Sequence, residues 1–241
     1  MPIRIETVRE TRSTSADLLA RLAAGELVPE GHWLIADRQT GGRGRQGRTW
    51  LDAPGNFMGS TVVHLTAQEP PAASLSFVAA LATYEAILAH ISAPHLVQLK
   101  WPNDVMLAGD KLGGILLERA GDAAVVGIGV NLAAAPDLPD RTAGNLAQVA
   151  PVLGRDAFAA ELATSFDREL DRWRQFGLAP MLSRWLAAAH APGTPLAVHA
   201  SDGARVSGSF AGLEADGALR LRLADGSSRV IHAGDVTLEG N

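Results

Sequence analysis

The strongest chemical signal is an eight-residue loop. Gly41-Gly42-Arg43-Gly44-Arg45-Gln46-Gly47-Arg48 carries three guanidinium groups and four glycines without a single acid. Glycines let backbone N–H groups close on an anion, and guanidinium forks grip phosphate or carboxylate at two points. Gly42-x-Gly44-x-x-Gly47 has the form of a dinucleotide fingerprint, which requires a helix directly after it. Thr49-Trp50-Leu51-Asp52-Ala53-Pro54-Gly55 follows instead and cannot start a good one. A kinase glycine loop would need a later His-Arg-Asp, and a phosphate loop would need Gly-Lys-Ser/Thr. Neither occurs. Binding of an anion in some other way competes with a plain solvated arginine turn, whose like charges would repel.

Three further segments carry polar or glycine-thinned positions. In Lys100-Trp101-Pro102-Asn103-Asp104, the proline denies a ladder hydrogen bond and marks an interrupted strand or a bulge. Polar groups at such a break can face a cavity, although Asn-Asp is also a common turn pair. Lys111-Leu112-Gly113-Gly114-Ile115-Leu116 sets a lysine at a strand mouth, and Gly127-Ile128-Gly129-Val130-Asn131 repeats the paired glycines on the next strand. Two such strands side by side would make a flat floor for a planar ligand, or simply pack as sheet. The seven histidines show no metal-ligand spacing, so no metal ligand is assigned. No Gly-x-Ser-x-Gly elbow is present either.

Alternation and helical spacing predict the elements that position these segments. Ile3 to Val8 reads as a strand, followed by a helix whose capping box is Thr14-Ser15-Ala16-Asp17 and which Gly25 can end. Strands are expected over His32–Asp37 and Phe57–Leu65, then a helix from about Ala73 to Ile91. Val97–Trp101, Asp104–Leu107, Leu112–Glu118 and Ala124–Asn131 read as strands in close succession, which implies a largely antiparallel or mixed sheet and an α+β class. Residues 133–154 read as loop. Phe158, Leu162, Phe166, Leu170 and Trp173 lay one helical face on the core, and a shorter helix follows around Met181–Ala189. After Pro192, five short alternating runs separated by Asp-Gly pairs at 202–203, 216–217 and 225–226 suggest a small all-β barrel. The expected boundary therefore falls between residues 1–192 and 193–241.

Composition narrows the class. A chain of 241 residues, 47% apolar and 20% charged, can bury a sizeable core. With no cysteine, disulfides and thiolate chemistry are excluded. A net charge of −5 argues against a surface that is wholly a nucleic-acid footprint. Met1 to Glu10 lacks the apolar core of a signal peptide, and Glu85 with Pro70, Pro71 and Pro94 makes the least charged stretch a buried helix instead of a membrane span. No membrane partner and a cytoplasmic location are expected.

Taken in order, these segments resemble the biotin–protein ligases. The similarity runs from Arg12-Ser13-Thr14-Ser15 through Gln39-Thr40-Gly41-Gly42-Arg43-Gly44-Arg45-Gln46-Gly47-Arg48-Thr49-Trp50. It continues through the Lys100, Lys111 and Gly127 segments to the C-terminal strands. The resemblance implies a catalytic domain of the class II synthetase type with an SH3-like C-terminal domain. It also implies a two-step reaction: biotin and ATP give biotinyl-adenylate and pyrophosphate, and the biotinyl group passes to a lysine of a biotin carboxyl carrier domain. Mg²⁺ is expected with the ATP. By position, Ser13, Thr14, Ser15 and Gln39 would meet the ureido end of biotin, with Ser15 standing where relatives often have Asn. Gly42, Arg43, Gly44 and Arg45 would close over ligand and adenylate, while Trp50 and Gly114 would line an apolar slot. Arg43, Arg45, Arg48, Trp50, Lys100, Asn103, Asp104, Lys111 and Asn131 would face the nucleotide side. Lys111 and Arg45 would stabilise the transition state, and Asp104 would accept a proton from the incoming amine.

Some members carry a tryptophan over the adenine in the loop matching 132–150. None stands here, so that contact is unassigned. About a dozen residues precede the first motif, too few for the helix-turn-helix that some members carry, so a single-function ligase without DNA as partner is expected. A homodimer is compatible with the resemblance, which leaves the oligomeric state open. The nearest alternative is a lipoate or octanoate ligase of the same fold, and one from another class is a nucleic-acid-binding module built on the arginine loop.

Overall fold

The chain up to Val130 builds one mixed sheet. Its strands are β1 (Arg4–Thr11), β2 (His32–Gln39), β3 (Phe57–His64), β4 (Val97–Lys100), β5 (Asp104–Leu107), β6 (Asp110–Ala120) and β7 (Ala123–Val130), in spatial order β1-β2-β3-β7-β6-β5-β4. This computed structural model describes residues 3–137, 142–151, 153–199 and 204–239. β1 and β2 are parallel and enclose helix α1 (Thr14–Ala23), while every other neighbouring pair in the sheet is antiparallel. A parallel pair needs a crossover, and α1 supplies it.

Strand β7 lies at the centre, and both its faces are buried. Ala124, Val126, Ile128 and Val130 look onto α2 (Leu75–Leu88), α3 (Arg155–Phe176) and α4 (Leu178–Ala188), within the main core. Ala123 and Val125 look the other way, onto Leu18 of α1, with Val28, Leu34 and Val62. The predicted stripe Phe158, Leu162, Phe166, Leu170 and Trp173 is buried along its whole length. A second device was not legible: Glu169, with no exposed surface, accepts from Arg172 and Arg184, and Arg184 also reaches Glu85. That network ties α2, α3 and α4 together at their polar seam.

Some boundaries differ from expectation. The cap of α1 is Ser13, whose hydroxyl accepts from the Ala16 N–H, and Thr14 is already helical. Asp17 is not part of a capping box there, because it accepts a 2.6 Å hydrogen bond from the Thr11 hydroxyl. Helix α2 begins only at Leu75, after a 3-10 turn over Ala72–Ser74, and ends at Leu88. Within 133–154 a 3-10 turn, Leu146–Gln148, which buries Leu146, interrupts the expected loop.

The second sheet contains β8 (Pro195–His199), β9 (Arg205–Leu213), β10 (Leu219–Arg222), β11 (Ser228–Ile231) and β12 (Asp235–Leu238), all antiparallel in the order β11-β10-β9-β8-β12. Two of the Asp-Gly turns form as expected. Asp216 and Asp225 each accept from a backbone N–H two residues on, with Gly217 and Gly226 at positive φ. The pair at 202–203 lies outside the described residues. The sheet's inner residues, Leu196, Val198, Phe210 and Val236 among them, join the main core without a break. Among the described residues, no helix is long and apolar enough to cross a membrane.

Candidate active site

A ten-residue helix is about 15 Å long, much shorter than the eight-residue strand it covers. α1 therefore shields β7 from Ala123 as far as Gly127, where Ser15 Oγ lies against the glycine, and does not reach Gly129. Gly129 is paired to Gly114 of β6. This end of the sheet is the bottom of a cavity of about 450 Å³.

The planar group on the floor is the protein's own. The Trp50 indole lies over Gly114 and Gly129, and a Cβ at Gly129 would collide with the ring. The Lys111 ammonium sits above the same ring, 5.8 Å from its centroid. At the α1 end, Ser13, Thr14 and Ser15 reach the wall together with Gln39. Gln39 Oε1 accepts from the Thr14 N–H at 2.7 Å and from the Thr14 hydroxyl at 3.2 Å.

At the opposite end the hairpin β4–β5 aligns Lys100 with Asp104. Asp104 is buried, accepting from Lys100 at 2.9 Å and from Lys111 at 2.5 Å. Burial alone would raise the pKa of its carboxyl. The two ammonium groups outweigh it and hold the value at about 2. Such a carboxylate holds a proton too weakly to suit the expected role as proton acceptor. Its geometry is that of a clamp on two lysines. Asn103 donates to the Ile115 carbonyl at 2.5 Å, and its own oxygen accepts from Arg45 at 3.3 Å.

The arginine loop is folded over this cavity and answered by carboxylates from two directions. Arg43 faces Glu118 of β6 at 3.4 Å, Arg48 pairs with Asp235 of β12, and Arg45 lies 4.0 Å from Asp235 and reaches the Gly234 carbonyl. Burial pulls the Arg45 guanidinium below its ordinary pKa, against the field of Asp104. Among the described residues, Arg43, Arg45, Arg48, Lys100 and Lys111 converge here and Asp104, Glu118 and Asp235 meet them, an arrangement in which cations outnumber acids and which suits an anionic ligand.

Of the residues singled out from sequence, Ser13, Thr14, Ser15, Gln39, Arg43, Gly44, Arg45, Arg48, Trp50, Lys100, Asn103, Asp104, Lys111 and Gly114 all line the cavity. Gly42 and Asn131 do not. Gly42 keeps the loop tight, since a Cβ there would lie 2.6 Å from the Trp50 carbonyl oxygen. The Asn131 amide is spent inside the fold, accepting from Asn56 at 3.3 Å and donating to the Gly144 carbonyl at 3.1 Å. Thr142, from the segment left unassigned, reaches the wall. So do Ser60 and Asp235, which the sequence did not mark. Ser60 sits in the ordinary strand Phe57–His64, and Asp235 follows a turn near the other end of the chain. Among the described residues, no group of three or more His, Asp or Glu stands ready to hold a metal ion.

Comparison with known proteins gives a consistent answer. Residues 9–132 match the biotin/lipoate A/B protein ligase family, and residues 197–238 match the biotin protein ligase C-terminal domain. The biotin–[acetyl-CoA-carboxylase] ligase of Paracoccus denitrificans is 39% identical over 242 residues, spanning 95% of this chain and 98% of its own. The protein of that name from Mycobacterium tuberculosis is 34% identical, spanning 97% and 88%. The same fold occurs in the biotin protein ligase from Aquifex aeolicus in complex with biotin and ATP, with a TM-score of 0.82, 24% identity and 99% of each chain aligned.

Proposed function

This chain belongs to the biotin/lipoate A/B protein ligase family, and we propose that it activates biotin with MgATP as biotinyl-5′-adenylate and transfers the biotinyl group to a lysine of a biotin carboxyl carrier domain. The observation that carries this is the polarity of one cavity. Its α1 end offers hydroxyls and an amide, its middle is a flat aromatic and glycine slot, and its far end gathers lysines and arginines. A bicyclic urea with an apolar tail and a terminal carboxylate fits that sequence of surfaces, with the carboxylate delivered to the cationic end.

Bringing a carboxylate against the α-phosphate of a nucleotide is opposed mainly by charge repulsion. Lys111 is placed at the junction of slot and cationic end, where it stabilises the charge that develops in the transition state. Lys100, Arg45 and Arg48 meet the phosphates, and the magnesium enters with the nucleotide. Asp104 is a positioning residue: ionised throughout, it holds Lys100 and Lys111 at a fixed spacing. The folded arginine loop keeps water from a mixed anhydride that hydrolyses readily. Residues 1–192 do the chemistry in this scheme, and 193–241 brace it through Asp235 and Val236.

Engagement of Arg43 and Arg48 by Glu118 and Asp235 speaks against an outward-facing nucleic-acid surface. The test supplies MgATP and an acceptor domain with biotin, lipoate or octanoate in separate reactions. Pyrophosphate release and labelling of the acceptor are expected with biotin. Transfer of lipoate or octanoate but not biotin would overturn the assignment.

A further inference from the structure

One serine in the cavity wall has no part in the scheme above. Ser60, on β3, has no exposed surface, yet its hydroxyl lies 2.8 Å from Thr14 Oγ1 and 2.9 Å from Ser15 Oγ. The direction of these hydrogen bonds follows from counting protons. Gln39 Oε1 can only accept, and it takes both the N–H and the O–H of Thr14. A hydroxyl has one proton to give. Thr14 therefore has none left for Ser60, so Ser60 donates to Thr14 and Ser15 donates to Ser60. A one-way chain results: Ser15 to Ser60 to Thr14 to Gln39.

With all three protons consumed, the hydroxyls can show an incoming ligand only lone pairs. Gln39, its oxygen occupied twice, can show only its NH₂ group. A wall of acceptors beside an amide donor matches a ligand that presents N–H groups next to a carbonyl, which a cyclic urea does. Space for the chain comes from across the sheet. Ser60 is paired in register with Gly127, where a Cβ would lie 2.5 Å from Ser15 Oγ and 3.5 Å from Ser60 Oγ.

We propose that Ser60 is the positioning residue that fixes Thr14 and Ser15 as acceptors, and so selects acids bearing a urea over acids of similar length without one. This rests on the biotin assignment above. An acid that lacks the urea leaves buried lone pairs unmatched, and a site built to hydrogen-bond discriminates strongly against such a ligand.

The test compares the parent with Ser60→Ala and Ser60→Thr, using biotin, desthiobiotin and octanoate as probes. Affinity of each acid is measured by calorimetry without ATP, and the KM for biotin and for ATP is measured from pyrophosphate release. Ser60→Ala should weaken both urea acids about tenfold, leave octanoate binding no weaker and leave the KM for ATP in place. Ser60→Thr keeps the hydroxyl and should restore urea binding. Should Ser60→Ala not fold, Ser60→Cys, with a weak donor of similar size, carries the same comparison. Unchanged biotin affinity, or an equal loss for all three acids, would refute the role of Ser60. A parent that neither binds biotin nor reacts with it would instead defeat the functional assignment, and with it this one.

Discussion

Lys100 of β4 donates to the carbonyl oxygen of Val236 in β12 across 2.9 Å, so a cation of the catalytic sheet is held in place by the second sheet. Next to it, the Trp101 indole N–H donates to the Gly217 carbonyl at 3.1 Å. Behind both contacts, Phe77, Leu182 and Trp185 share one core with Leu196, Phe210 and Val236. The second sheet is thus structurally part of the catalytic unit.

Truncation after residue 192 would uncover that shared core and take the Val236 carbonyl away from Lys100. The shortened chain should aggregate or unfold well below the parent temperature, with adenylate formation lost. Circular dichroism on heating and biotin-dependent pyrophosphate release measure the two effects. A stable, active fragment would show that the second sheet is dispensable.

Lys111→Ala should lower the rate of adenylate formation by about 10²- to 10³-fold, the scale of removing one charge-stabilising donor from a transition state. The fold should persist, because Lys100 still faces Asp104. Near-parental turnover would remove Lys111 from the mechanism.

The Asp104 carboxyl titrates at about 2 in the fold, below its ordinary 3.8. Its ionised form therefore stabilises the protein above about pH 4, and that stabilisation fades as pH falls towards 2. At neutral pH the contribution is about 2 kcal/mol. Asp104→Asn should lower the melting temperature at pH 7 by several degrees, and the gap from the parent should narrow below pH 4. A gap independent of pH would contradict the charge account.

Gly129→Ala pushes a methyl group into the Trp50 indole. The ring must leave its seat, and biotin affinity should fall about tenfold or more. Calorimetric binding that matches the parent would mean that the indole is not a wall of the slot.

Arg45→Gly and Asp235→Ala loosen the arginine loop from opposite sides. Each should let biotinyl-adenylate escape into solution, seen as pyrophosphate release that outruns acceptor labelling. Intermediate retained as tightly as in the parent would disprove the lid role of the loop.

Much of the site could be read along the chain because unusual local chemistry marks it. Three arginines without an acid, a lysine beside a strand break and glycines within strands each needed explanation, and the fold brings them to one cavity. What escaped was the answering partner. Glu118 and Asp235 look like ordinary strand carboxylates, and only the sheet topology sets them against Arg43 and Arg48. Ser60 escaped for the same reason, since no local pattern sets it apart within Phe57–His64 and its partners come from α1. The sequence places the cap of α1 one residue late because Ser13 and Thr14 both suit the position, and the Thr11 hydroxyl takes Asp17. Asn131 has the right type for a ligand contact, but Asn56 and Gly144 absorb its amide.

Asp235, the partner of Arg48, is 187 residues further along the chain. On the ribosome, the arginines emerge long before the acid that holds them has been made. That latch therefore closes late in synthesis, when β12 docks, and a nascent chain with all its vitamin-contacting side chains already made would still lack the acid that fastens Arg48.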